Sequence, residues 1–461
     1  MIERALRKLV SALIELWDRP LLGSRRVGAE LASPSPVGKR ADSRIVVLVA
    51  VCLALLAAAG SYVRSSMFAP VLYMAYGYGT DDRTGPRTHN LLFDGDVPQY
   101  TAIMTQRGHS HHGVYSNRHP LVSLYLFPPA KILRFFGLSP PESVHVTMAM
   151  TCGVWTILMF SLLVVWGCRL VDAAVFTVLA LISASSMVWH PVPESYPIGS
   201  ATIIAALILT LWPRNASPLI RYTAAAAVSL SMTLTNAIVG LIAGARGLAT
   251  RDLWIAGTSA WFIVCMLWVL QKWAFPVVEF FLPPREVNAM WFSLTPNRIA
   301  QVLQVMLSHS IVMPEFGVMS GSERIPPSTA VRMMTVQKSL LGTGGLWGLI
   351  ATFAWIGLVG LGVWAACSIR CALSTLCLLV GGTLMAFYLV WGTETFLFSL
   401  HMVPFLIVLT AGVTFTRWRP LSLALAIVVI VLGGANNWGQ FQKAVAITHE
   451  IDAFARTFPA E

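Results

Sequence analysis

Charge is scarce in this chain. Only 11% of its 461 residues are Asp, Glu, Lys or Arg, against about 25% in a soluble protein, and 56% are hydrophobic. A water-soluble globular fold is excluded, and counting domains from length does not apply. No Cys-x-x-Cys pair occurs among the seven cysteines, Cys52, Cys152, Cys168, Cys265, Cys367, Cys371 and Cys377. All lie in or beside apolar segments, so they read as small core residues rather than disulfides or metal ligands. A P-loop, Gly-x-Gly-x-x-Gly, His-Glu-x-x-His or nucleophile elbow in a usable context is missing too. ATP hydrolysis, nicotinamide binding and zincin proteolysis therefore lack support. No apolar h-region follows Met1-Ile2-Glu3-Arg4, so no cleavable signal peptide is expected. Acids are fewer than bases, 21 against 32, for a net charge of +11. This excess is not a nucleic-acid signature. The Lys and Arg lie mostly in short loops and at the N-terminus, where positive-inside bias and anionic membrane lipid account for them.

What is present is a series of apolar runs. Spans are expected near 44–63, 143–167, 171–189, 196–212, 219–235, 236–249, 253–275, 343–366, 371–391, 394–415 and 419–440. They define an all-α polytopic membrane protein over 44–461, with large loops at 64–118 and 276–342. Residues 1–43 form a separate leader. Leu6, Leu9, Val10, Leu13, Ile14 and Trp17 recur there at helical spacing, which predicts an amphipathic helix on the membrane face, followed by a Gly/Ser/Pro linker. The apolar segment 120–136 holds Pro128, Pro129, Lys131 and Arg134 and reads as an in-plane helix.

The N-terminal 43 residues carry eight Lys or Arg, which places that end in the cytoplasm. Treating 219–249 as two helices then puts Arg169, Arg214, Arg221, Arg246, Arg251, Arg370, Arg417 and Arg419 on the same side. It puts loop 64–118, the His190–Tyr196 turn, loop 276–342 and Glu394 on the outer side.

Four polar features converge there: Asp94-Gly95-Asp96, His190-Pro191-Val192-Pro193-Glu194, Asn236 at a helix break, and Glu394 opening an apolar run. Polar groups at membrane depth mark function by default. Three of them also have a plainer explanation: a solvated turn for Asp-Gly-Asp, an interfacial cap for His190 and Glu194, and a helix N-cap for Glu394. His109, His111 and His112 resemble metal ligands, but a Ser/Gly-interleaved loop is a poor preorganised site. Arg285, Arg298 and Arg324 in the second long loop suit phosphate clamping or ordinary ion pairing equally.

Phe93-Asp94-Gly95-Asp96-Val97-Pro98-Gln99-Tyr100, in a large loop after the first span, and His119-Pro120-Leu121, opening an apolar stretch, resemble the GT-C class of integral membrane glycosyltransferases. The likeness is to bacterial relatives of the dolichyl-phosphate-mannose protein mannosyltransferases and the aminoarabinose transferases, and it covers most of the first half of the chain. It implies a bundle of about eleven transmembrane helices and an inverting transfer of sugar from a polyprenyl-phosphate donor to a glycan, lipid or protein acceptor. The site would face outward from a bacterial plasma membrane. Asp94 or Asp96 would be the catalytic base. Many relatives have adjacent Asp-Glu where this chain has Asp-Gly-Asp, which leaves open which acid acts. The chemistry requires a carboxylate to take the acceptor proton. It also requires positive charge, or a divalent cation, on the leaving phosphate. Arg118, His119, Arg285, Arg298 and Arg324 are candidates for that charge, with Glu194, Asn236 and Glu394 lining the substrate. The competing readings are a carrier or flippase of a lipid-linked sugar and a polysaccharide polymerase or ligase. The absence of visible internal repeats and the clustering of acids at loop ends argue against the carrier.

Overall fold

The computed structural model describes residues 42–73, 91–211, 217–281, 291–320, 332–369 and 372–455. The expected N-terminal amphipathic helix, Arg285 and Arg324 lie outside these residues. Of the described residues 78% are helical. In chain order the helices are α1 (Ser43–Met67), α2 (Val97–Thr105), α3 (His111–Ser116), α4 (Val122–Phe135), α5 (Pro140–Trp166), α6 (Leu170–Ile182), α7 (Ala184–Trp189), α8 (Tyr196–Thr210), α9 (Pro218–Met232), α10 (Ala237–Gly247), α11 (Thr250–Ala274), α12 (Pro296–Gln304), α13 (Leu346–Ile369), α14 (Ala372–Val390), α15 (Ser399–Ala411), α16 (Arg419–Val428) and α17 (Gly434–Ala455). Among the described residues one antiparallel pair of strands, β1 (Gly317–Ser320) with β2 (Arg332–Thr335), interrupts them, in the register Gly317 to Thr335.

Among the described residues seven helical segments are long and apolar enough to cross a bilayer: α1, α5, α11, α13, α14, Thr395–Phe415 including α15, and Arg419–Ala453 including α16 and α17. The chain is a multi-pass membrane protein. Its boundaries follow local chemistry. α5 begins with a complete capping box, Ser139 with Glu142, behind Pro at its first position, and ends on left-handed Gly167. α4 has 14 residues, about 21 Å, too short for a hydrocarbon core of about 30 Å.

Two expected spans differ from a simple crossing. The 171–189 run breaks at Ser183 into α6 and α7. Asn437 Nδ2 donates to Ile182 O (2.8 Å), and Ala184 N and Ser185 N donate to Ile311 O and Ser310 O (both 3.0 Å). Partners from elsewhere in the bundle thus replace the helix's own ladder. The 219–249 run is two short helices, α9 and α10, joined by a 3-10 turn at Leu234–Asn236. They fold back on each other. A Cβ on Gly240 would lie 2.3 Å from Ala226 Cα, and one on Gly247 would meet the Tyr222 ring.

One end of the bundle gathers the C-terminus of α1 and the N-termini of α5, α8 and α15. At the opposite end Arg419 donates twice to the buried Asp172 carboxylate (2.9 and 2.7 Å) and ties α16 to α6.

Candidate functional site

The Asp-Gly-Asp loop is held from below by aromatic packing. Phe93 is fully buried, with ring centroids 5.0 Å from Phe396, 5.7 Å from Phe316 and 6.4 Å from Trp189. Leu91 O accepts from Met334 N of β2 (2.9 Å). Phe93 and Asp94 both adopt positive φ, 47° and 66°. Side chains other than Gly are uncommon there, and such strain persists only where surrounding contacts enforce it. Gly95 is required by close approach: a Cβ would lie 2.9 Å from Leu92 O, 3.1 Å from Trp189 and 3.3 Å from Glu194 Oε1.

Four acids from three distant segments meet around this loop. Glu194 is buried, and its carboxylate accepts from Asp96 N and from Ser195 N (3.0 Å). Glu394 is buried, and its carboxylate accepts from Thr335 Oγ1 and from Phe396 N (3.4 Å), so it caps its own helical turn and pins β2. These two acids are positioning groups. Asp94 and Asp96 are half-buried. Asp94 Oδ2 accepts from Thr393 Oγ1 (2.6 Å). Asp96 starts α2 with Pro98 behind it.

The electrostatics sort the acids further. Burial raises Asp96 to about 6; the neighbouring Asp94 adds to the rise, while a hydrogen bond from Tyr115 and the charge of Arg118 oppose it. Burial and the nearby Asp96 push Glu194 well above the usual carboxylate range, against its two backbone N–H donors. Burial lifts Glu394 to about 7, against the Thr335 hydroxyl. Tyr100 and Tyr115, 4.9 Å apart, complete the wall; burial and the same carboxylates keep both phenols protonated.

His119 is buried, its Nδ1 facing Met232 O (3.0 Å) and Thr233 Oγ1 (3.3 Å). Burial lowers it to about 4, so it is neutral and ties the loop to the α9–α10 turn rather than carrying charge to a phosphate. Asn236 lies at that turn, fully buried, with Nδ2 donating to Gly199 O (3.2 Å) and Oδ1 unpartnered. Arg298 has a structural role. It donates to Tyr388 O (3.2 Å), Leu389 O (3.4 Å), Trp391 O (3.1 Å) and Gly392 O (2.5 Å), and stacks 4.9 Å over Phe292. It caps the C-terminus of α14, where Gly392 turns left-handed. Arg298→Lys keeps the charge but cannot span these carbonyls; it should cost about 1–2 kcal/mol of stability and leave substrate affinity unchanged, read by thermal melting beside a binding isotherm.

The histidine run does not converge. His112 faces Ser123 Oγ and Gln106 O (both 2.8 Å), while the rings of His109 and His111 pack against each other, tilted, at 4.4 Å. Among the described residues no group of three or more His, Cys, Asp or Glu is placed to hold a metal ion. Tyr115, Thr393 and Thr335 join the site without having been singled out from sequence. Only the proximity of Thr393 to Glu394 and of Tyr115 to the histidine run offered a signal. Comparison with protein-family models, curated proteins and solved structures finds no match.

Proposed function

We propose that this protein is an inverting glycosyltransferase of GT-C type, moving a sugar from a polyprenyl-phosphate donor to an acceptor hydroxyl. The site would lie on the outer face of a bacterial plasma membrane, with eleven passes and a cytoplasmic N-terminus. One observation carries the reading. Four acids converge on a strained loop, two are occupied in holding its backbone and β2, and the other two remain half-exposed side by side. Asp96, raised towards neutrality, suits a general base. It takes the acceptor proton as the acceptor oxygen attacks the anomeric carbon from the face opposite the phosphate. The bond from that carbon to the phosphate oxygen breaks, and the phosphate leaves with the pair. Arg118, whose charge bears on Asp96, supplies positive potential near the leaving group. Asp94, tied to Thr393, orients the acceptor.

The test is sugar transfer in proteoliposomes from a panel of polyprenyl-phosphate sugars, with wild type, Asp94→Asn and Asp96→Asn. Loss of transfer in Asp96→Asn at unchanged melting temperature supports the assignment. Full activity in both variants moves the chemistry away from this loop. Movement of lipid-linked sugar across the bilayer without transfer favours a carrier.

A further inference from the structure

α4 turns one face into the protein and the opposite face out. Val122, Leu126 and Ala130, one turn apart, are fully buried. They share a cluster with Tyr100, Ile103 and Met104 of α2 and with Val144 and Met148 of α5. On the other side Ile132, Phe135 and Phe136, at positions i, i+3 and i+4, are 57%, 83% and 74% exposed. Three adjoining large apolar side chains this open are unusual on a surface that meets water.

The contacts at its two ends lay α4 flat across the end of the bundle that carries the acids. At its start, Leu121 N donates to Ser231 O (3.0 Å) and the Tyr125 hydroxyl bonds Ser231 Oγ (2.8 Å), in the last turn of α9. Gln271, in the last turn of α11, donates Nε2 to Pro120 O (2.7 Å). At its finish Gly137, left-handed at φ 95°, turns the chain, and Ser139 caps α5 two residues on. α4 therefore runs between the ends of two spanning helices, α11 and α5. α5 has 27 residues, about 40 Å, against a hydrocarbon core of about 30 Å. The exposed Ser139–Glu142 cap at its start belongs among lipid headgroups, and that length leaves room for it there. Phe135 and Phe136 lie within a few residues of this level. Lys131, also exposed, precedes Phe135 by one turn, and its stem can carry the ammonium to the headgroups while the rings sit deeper.

We propose that Ile132, Phe135 and Phe136 form a membrane-docking surface, seated at the boundary between headgroups and acyl chains of the leaflet beside the acid loop, and that this seat steadies α2. α2 is held at both ends. Glu194 accepts from Asp96 N at its start, and Arg134 Nη1 donates to Thr105 O (2.6 Å) at its finish. Arg134 is the residue before Phe135, so the lipid seat and the clamp on α2 are neighbours on one helix. The leaflet thereby supports the helix that Asp96 begins. Neither the docking nor the support depends on the glycosyl-transfer reading, and neither readout below involves sugar.

The experiment uses the full chain in phosphatidylcholine nanodiscs. The photo-reactive residue p-benzoylphenylalanine replaces Phe135, Phe136 or, as a reference on a spanning helix, the exposed Leu55. After illumination, mass spectrometry should find phosphatidylcholine adducts at 135 and 136 as abundant as at 55. Cross-linked pairs of chains, or links to other segments of the same chain in place of lipid, would overturn the docking. Amide hydrogen exchange reads the support. Phe135→Ser together with Phe136→Ser should speed exchange in α2 by about tenfold and leave α13 unchanged. Phe135→Leu with Phe136→Leu keeps an apolar surface and should restore wild-type protection. Unchanged exchange in α2 of the serine pair would overturn the support. So would a leucine pair as fast as the serine pair, since the contact between the two rings (5.6 Å) would then be what matters.

Discussion

Asp96→Asn should lower the rate of sugar transfer by about 10²–10⁴-fold, the range expected for loss of a general base. The amide keeps the shape of the side chain and can still accept from Tyr115, so expression and melting should hold. The pH profile makes the claim sharper. Burial, with help from Asp94, holds Asp96 at about 6 in the folded protein. Only the ionised form can take a proton, so wild-type kcat/KM should rise with pH through about 6 and then level. Asp94→Asn removes the neighbouring negative charge. It should move that midpoint downward while leaving a rise in place, with a smaller loss of rate. Measuring kcat/KM from pH 4.5 to 8.5 in the three proteins decides between the acids. An Asp96→Asn enzyme that keeps the wild-type midpoint would place the base elsewhere.

Glu394→Gln should stabilise the protein at pH 8 and flatten its stability between pH 4.5 and 7. Glu394 is 2% exposed, and burial lifts it from 4.5 to about 7. A carboxyl raised by folding keeps its proton in the native state over a window in which the unfolded chain has lost it. Native structure is therefore favoured at low pH, and stability falls as pH rises from 4.5 towards 7. At about 1.4 kcal/mol per pH unit the full effect is about 3 kcal/mol. Glutamine carries no charge and still offers an oxygen to Thr335 or to Phe396 N. Thermal melting across pH 4 to 8.5 in one detergent is the measurement. A glutamine variant that melts lower than wild type at pH 8 would mean that the ionised carboxylate, through its Thr335 and backbone contacts, is what the fold requires.

Much of the fold could be read from residue order because membrane helices are written as long apolar runs with local stops. Ser139-Pro140-Pro141-Glu142 announces the start of α5, and Gly167 its end, through contacts within a few residues. The break at Ser183 was not legible, since the groups that replace the missing ladder come from Ser310, Ile311 and Asn437. The acidic loop was recognisable as polar and isolated, but the division of labour among its acids was not. Asp96 meets Glu194 across 98 residues, and Asp94 meets Thr393 across 299. Neither pairing leaves a trace in spacing. Arg298 shows the converse. An arginine in a long loop suits an anion or an ion pair equally, yet its Nε and Nη2 donate to the open carbonyls at the end of another helix. Sequence shows which groups are available; which of them stay available after packing is decided by distant backbone.

The left-handed pair at Phe93 and Asp94 has a practical consequence for anyone seeking hardier forms of this protein. Glycine occupies such a conformation freely, and each strained residue of another type costs about 1–3 kcal/mol. A screen that selects on heat resistance alone will reward Asp94→Gly, because the loop relaxes and a carboxylate leaves a crowded acidic neighbourhood. If Asp94 orients the acceptor as proposed, the winners of that screen would be robust and slower. Position 94 is where selection for endurance and selection for work pull in opposite directions.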